Sequence, residues 1–190
     1  MFIQTERTPN PATLKFLPGR EVMPEGTAEF TDTDHAAASP LAESLFGIDG
    51  VAGVFFGGDF ISVTKSDSRD WAELKPEVLA LVMQHFTTET PLFRDGMTPD
   101  AAAGNGAPAD DDADPEIVAQ IKTLLDQKVR PAVAQDGGDI IYHGFKDGVV
   151  YLHMQGACAG CPSSTMTLKN GIENLMRYYI PEVTEVRPLA

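Results

Sequence analysis

Cysteine is nearly absent from this sequence. Its 190 residues contain only Cys158 and Cys161. Two thiols cannot staple a secreted scaffold, so a disulfide framework is excluded and a reducing compartment is expected. The default expectation is the cytosol. Positive charge is scarce too, with 14 Lys and Arg against 28 Asp and Glu and a net charge of −14. Such a balance argues against non-specific nucleic-acid binding, which rests on Lys and Arg neutralising phosphates. It argues equally against an anionic membrane surface. No apolar run reaches the roughly 18 residues of a membrane span. The opening MFIQTERTPN lacks the basic and apolar regions of a secretory signal and the composition of a transit peptide.

What is present is enough for a core: 43% apolar and 8% aromatic residues. Acidity is uneven, with net charges of −8 over residues 1–93, −5 over 94–114 and −1 over 115–190. Residues 94–114, RDGMTPDAAAGNGAPADDDAD, have almost no large apolar side chains and read as a flexible acidic linker. The expected architecture is a mixed α/β (α+β) chain of two small domains, 1–93 and 115–190. In the first, FIQTE and TLKFL alternate as strands around a TPNP turn. Ser39-Pro40 opens a short helix to Phe46. VAGVFF and FISVTK form a hairpin across Gly57-Gly58-Asp59. A helical stripe runs from Asp70 to Phe86, with Pro76 either starting the main helix or following a short turn. His35 is expected in a loop and His85 on a helix.

The second domain reads as α-β-β-α-β with a three-stranded sheet. Asp114-Pro115 caps a helix that Pro131 is expected to interrupt. The loop Gln135-Asp136-Gly137-Gly138-Asp139 follows. IIYHGF and VVYLHM pair across Lys146-Asp147-Gly148. Pro162 starts a second helix that Pro181 ends, and VTEVRP is the last strand.

Both cysteines fall between the second strand and that helix, in GACAGCPSS, residues 156–164. Gly156 and Gly160 allow tight turns and close approach. Cys161 falls at the helix cap, where N–H groups favour thiolate. Three chemistries compete. A thiol–disulfide oxidoreductase of the thioredoxin type uses such a pair, but Pro162 follows the second cysteine and no thioredoxin-length framework surrounds it. A zinc site needs two further ligands, for which His143 and His153 are the candidates, although His153 reads more simply as a half-buried strand histidine. An iron–sulfur cluster needs four thiolates, which two symmetry-related chains supply. No acid lies between Asp147 and Glu173. That suits a loaded site already carrying a charge of about −2 by counting four thiolates on a 2+ cubane core. Buried packing cysteines are the remaining reading, disfavoured because the loop looks solvent-prone.

GACAGCPSS followed by Leu168-Lys169-Asn170-Gly171-Ile172-Glu173 resembles the signature of the Nfu (NifU C-terminal type) iron–sulfur proteins. Arg130-Pro131 and Gln135-Asp136-Gly137-Gly138-Asp139 fit the same family. Gln4-Thr5-Glu6-Arg7-Thr8-Pro9-Asn10-Pro11, then Leu14-Lys15-Phe16, resembles the N-terminal domain of its mitochondrial and alphaproteobacterial members. The resemblance implies a non-catalytic scaffold or carrier. Cys158 and Cys161 of two subunits would hold a 4Fe–4S cluster, with 2Fe–2S as the alternative, in a homodimer. Upstream donors would load it, and apo iron–sulfur proteins such as lipoyl synthase, aconitase and respiratory subunits would receive it. The cysteine-free N-terminal domain would contact those donors or clients.

Overall fold

The computed structural model describes residues 2–95, 97, 113–160 and 162–189, with the side chains of 162–164 left aside. The chain is mixed α/β and falls into two compact units, Met1–Ala102 and Ala103–Ala190. Most of the expected linker lies outside the described residues. Its first residue, Arg94, is bonded to unit 1: its N–H donates to the Ala38 carbonyl at 3.0 Å and its guanidinium reaches Ala37 and Glu43. Among the described residues, no helix is long and apolar enough to cross a membrane.

Unit 1 is a five-stranded antiparallel sheet covered on one face by helices. Its elements are β1 (Gln4–Arg7), β2 (Thr13–Leu17), β3 (Ala28–Phe30), α1 (Thr33–Ala36), α2 (Pro40–Phe46), β4 (Val51–Phe56), β5 (Ile61–Lys65) and α3 (Trp71–Thr87). The strand order is β1-β2-β5-β4-β3. Ser39 caps α2 as its sequence suggests, its Oγ accepting from the Ala42 N–H at 3.3 Å. Leu41, Leu45, Leu74, Val78 and Val82 from the helices bury against Phe16, Phe56, Ile61 and Val63 from the strands. β3 and α1 carry too short a pattern to announce themselves, and His35 belongs to α1 instead of a loop. α3 runs through Pro76 without a start or break there. Leu74, Val78 and Val82 are fully buried, and their packing offsets the lost helical bond.

Unit 2 contains α4 (Pro115–Leu124), a π-helical turn (Leu125–Val129), α5 (Arg130–Gln135), β6 (Gly138–Lys146), β7 (Val149–Gly156), α6 (Pro162–Tyr179) and β8 (Glu185–Leu189). The Asp114 carboxylate accepts from the Glu116 N–H at 2.9 Å and caps α4. The expected break at Pro131 does not occur. The Arg130 N–H donates to the Leu125 carbonyl five residues back, and this wider turn absorbs the proline so that the helix reaches Gln135. The sheet order is β6-β7-β8, with β6–β7 antiparallel and β7–β8 parallel. A parallel neighbour requires a crossover, and α6 is that crossover. β6 begins at Gly138, so part of the expected Gln135–Asp139 loop is strand.

The β6–β7 turn fixes the register that brings Gly138 opposite Gly156. Asp147 at φ +51° and Gly148 at φ +78° give the two positive φ values that a two-residue hairpin turn prefers. A Cβ at Gly148 would lie 2.7 Å from Thr184 Oγ1 and 3.1 Å from the Glu182 carbonyl. Gly148→Ala should therefore destabilise unit 2 by about 1–3 kcal/mol, read as a lower denaturant midpoint with an unchanged slope.

Candidate functional site

The site is built where two glycine turns meet. β7 ends at Gly156, whose φ of +62° turns the chain out of the sheet, and Gly160 at φ +80° turns it again before α6. These are conformations that side-chain-bearing residues rarely adopt. The Ala157 N–H donates to the Gly137 carbonyl at 3.1 Å. Gly137, at φ +84°, donates its own N–H to the Ala134 carbonyl at 3.1 Å. Within the loop, the Cys158 N–H donates to Gln155 O at 3.3 Å and the Ala159 N–H to Gly156 O at 3.1 Å. From α6, the Thr165 hydroxyl donates to the Cys158 carbonyl at 3.0 Å. The loop is thus tied to the end of α5 on one side and to the first turns of α6 on the other.

Cys158 is 5% exposed and belongs to the buried cluster of unit 2. The expectation of a solvent-prone loop is wrong for this residue. The cause is Gly138: with no side chain it leaves room for the thiol. A Cβ built there would lie 2.6 Å from Cys158 Sγ, 3.0 Å from Cys158 N and 2.5 Å from the Gln155 carbonyl. Cys158 therefore packs as a small hydrophobe while keeping its place in the loop. Cys161 lies outside the described residues.

Gly138 is held in turn by its neighbour. Asp139, buried, accepts from Arg130 Nε at 2.9 Å and Nη2 at 2.8 Å, a bidentate pair, and from the Ile140 N–H at 2.8 Å. Arg130 also reaches Asp126 at 3.2 Å. The hydrogen bonds it donates to Asp139 hold the Arg130 guanidinium pKa above its ordinary range. The acid-free stretch in the sequence is thus not acid-free in space. A carboxylate sits one residue from the glycine that touches Cys158, and its charge is matched by Arg130.

Comparison with known proteins gives matches over both units. Residues 3–89 match the family described as scaffold protein Nfu/NifU N terminal, and residues 121–187 match the NifU-like domain. The mitochondrial NifU-like protein 4 of Arabidopsis thaliana is 53% identical over 98% of this chain and 65% of its own length. The human mitochondrial NFU1 iron-sulfur cluster scaffold homolog is 51% identical over 98% of this chain and 71% of its own. The chain belongs to the Nfu/NifU family. It spans about two thirds of the length of these two relatives. A solved NifU-like protein from Saccharomyces cerevisiae is 26% identical over 50% of this chain and 86% of its own, with a TM-score of 0.41.

Within the NifU-like unit, the histidines do not join the cysteine loop. Leu152 and Met154 of β7 are buried in the core that includes Cys158. His153 alternates with them and so lies on the opposite face of the sheet. There its ring meets His143 at 5.7 Å between centroids. Among the described residues no group of three or more His, Cys, Asp or Glu is placed to hold a metal ion. Burial and then the nearby charge of His153 lower the His143 pKa.

Residue roles that sequence reasoning missed are Gly138 as the seat of the thiol and Arg130–Asp139 as its anchor. The tandem Gly137-Gly138 was a visible signal, since only the first needs a positive φ and the second must answer to a close approach. The Arg130–Asp139 pairing had no signal, because it depends on the π-turn that places Arg130.

Two predictions follow from this geometry. In a Cys161→Ser background, Gly138→Ala should overpack the thiol seat by about 1–3 kcal/mol. Labelling of Cys158 by a thiol reagent should then be roughly tenfold faster, at about 1.4 kcal/mol per decade; Arg130→Ala should act in the same direction. The second concerns pH. A histidine with a lowered folded pKa binds fewer protons folded than unfolded, so its contribution falls as pH drops below the ordinary value of 6.5. His143→Gln should flatten the loss of unit 2 stability between pH 7 and 5, measured by denaturation at each pH.

Proposed function

We propose that this chain is a non-catalytic carrier whose cargo is an iron–sulfur cluster held through Cys158 and Cys161. The reading is supported by the family's description as scaffold proteins and by a relative named for iron–sulfur cluster scaffolding. The observation that carries it is the construction around Cys158. A glycine with no space for a Cβ, a half-buried ion pair behind it and four hydrogen bonds through the loop backbone all fix one thiol at a strand-to-helix junction.

Thiolates are the donors that iron–sulfur clusters use, and this chain supplies two of the four needed. The remaining two come from a second copy, so the loaded form is a homodimer around a 4Fe–4S cluster. Burial of Cys158 adds a step to loading. The thiol must leave its seat against Gly138 before it ligates iron, so the empty protein shields a sulfur that the loaded protein presents. Delivery to an apo iron–sulfur protein is ligand exchange: an acceptor thiolate bonds to iron as a carrier thiolate departs, with no change in electron count. Upstream donors load the site by the reverse exchange. The compartment is the mitochondrial matrix for a processed eukaryotic form, in keeping with the mitochondrial names of its relatives, or the cytoplasm for a bacterial one.

Anaerobic reconstitution followed by iron, sulfide and zinc analysis tests this. The expected result is about two iron and two sulfide per chain in a dimer, as sharing one 4Fe–4S cluster requires. Cys158→Ser and Cys161→Ser should each abolish it while leaving the circular dichroism unchanged. A full cluster on a strict monomer without an external thiol would overturn the shared-site reading. Zinc in place of iron, or iron-independent insulin reduction, would replace it with an adaptor or a thiol–disulfide oxidoreductase.

A further inference from the structure

We propose that unit 1 carries a docking groove for an extended acidic peptide segment of a partner protein, between the edge strand β1 and the start of α3. This locates the partner surface that the carrier reading assigns to the cysteine-free unit, and rests on that reading only for calling the partner a donor or client.

The groove has a volume of about 560 Å³ and is lined by residues of β1, the turn after it and the first turns of α3. Its walls are fixed. Trp71 Nε1–H donates to the Pro11 carbonyl at 3.2 Å, tying the turn to the helix. The Thr8 hydroxyl donates to Asn10 O at 2.8 Å and Thr13 O at 3.0 Å, and Asn10 Oδ1 accepts from the Ala12 N–H at 3.0 Å. The indole of Trp71 stands beside the core ring of Phe16, 6.5 Å between centroids, and lines the groove.

Two features say what fits. The first is backbone. Among the described residues β1 pairs only with β2 and is the outer strand of its sheet, so its other edge offers main-chain donors and acceptors to an added strand. On the facing wall, Pro76 has no N–H to give the carbonyl of Ala72, a groove residue, so that acceptor lacks its usual helical donor.

The second feature is charge. Residues 1–93 carry a net charge of −8, yet Arg7 and Lys75 both line the groove. Lys15 and Arg69 of the same unit are matched to Glu6, Glu73 and Glu77. The side chains of Arg7 and Lys75 have no hydrogen-bond or ion-pair partner among the described residues. Arg7 lies opposite Leu14 in register and so shares the helix-covered face of the sheet with it. Glu6, the one acid in the lining, lies opposite Lys15 and is paired with it. An occupant that meets the two cations and lies along β1 is an extended peptide with acidic side chains on alternate residues.

Trp71 is the only tryptophan of the chain, so its emission reports on the groove directly. The probe is an acetylated, amidated Glu-Val-Glu-Val-Glu-Val peptide titrated into the full-length apo protein at low salt. The expected result is a saturable change in Trp71 emission. Arg7→Glu and Lys75→Glu should each weaken it at least tenfold, and the milder Lys75→Gln severalfold, with unchanged circular dichroism. Backbone N-methylation of the peptide should abolish it. No saturable change, or an equal response to the Lys-for-Glu peptide, would overturn the proposal. So would an emission change in unliganded Arg7→Glu protein matching that of peptide release, which would make the chain's own acidic 110–114 stretch the occupant. Cys158→Ser protein should bind the peptide normally, so failure of the cluster reading and failure of this one are distinguishable.

Discussion

The missing side chain at Gly138 is the constraint on which the candidate site depends. A thiol can sit against the first residue of β6 only because nothing projects from that residue, where a Cβ would stand 2.6 Å from the sulfur. Several features of unit 2 serve that contact. The hairpin turn sets the register that places Gly138 opposite Gly156. The Gly137 carbonyl receives the loop's Ala157 N–H, and Arg130 grips Asp139 next door. The arrangement is steric first and electrostatic second. The ion pair stabilises the strand end, and the strand end gives the thiol its seat.

Much of the fold was legible because the signals were local. Ser39-Pro40 and Asp114-Pro115 announced helix starts, and both caps form the expected hydrogen bonds. Asp147-Gly148 announced the hairpin turn and has the backbone it needs. The two internal prolines misled for one reason. Pro76 and Pro131 each cost a hydrogen bond, but tertiary burial of Leu74, Val78 and Val82 in one case and a π-turn in the other kept the helix intact. Propensity is a weak prior against a buried stripe.

At the candidate site the glycine turns were legible and the exposure was not. Gly156 and Gly160 adopt the positive φ values that their type permits. The burial of Cys158 was hidden because it comes from a residue twenty positions earlier whose contribution is an absence. The histidines follow the simpler expectation of half-buried strand residues. His143 and His153 are close in sequence to the loop, yet strand alternation sends His153 to the other face of the sheet, where it meets His143. Sequence proximity and side-chain direction are independent facts on a strand.

The π-turn at Leu125–Val129 has a consequence for how this helix can vary. It holds one residue more than an α-helical turn would. Deleting one residue within it would therefore restore an ordinary α-helical turn and leave what lies beyond on nearly the same bearing. Deleting one from the α-helical run before it would instead swing everything beyond by about 100° around the axis. The guanidinium of Arg130 would then point away from Asp139, although both residues of the pair remained in place. The wider turn is thus the stretch where this helix can contract without uncoupling from the strand it braces.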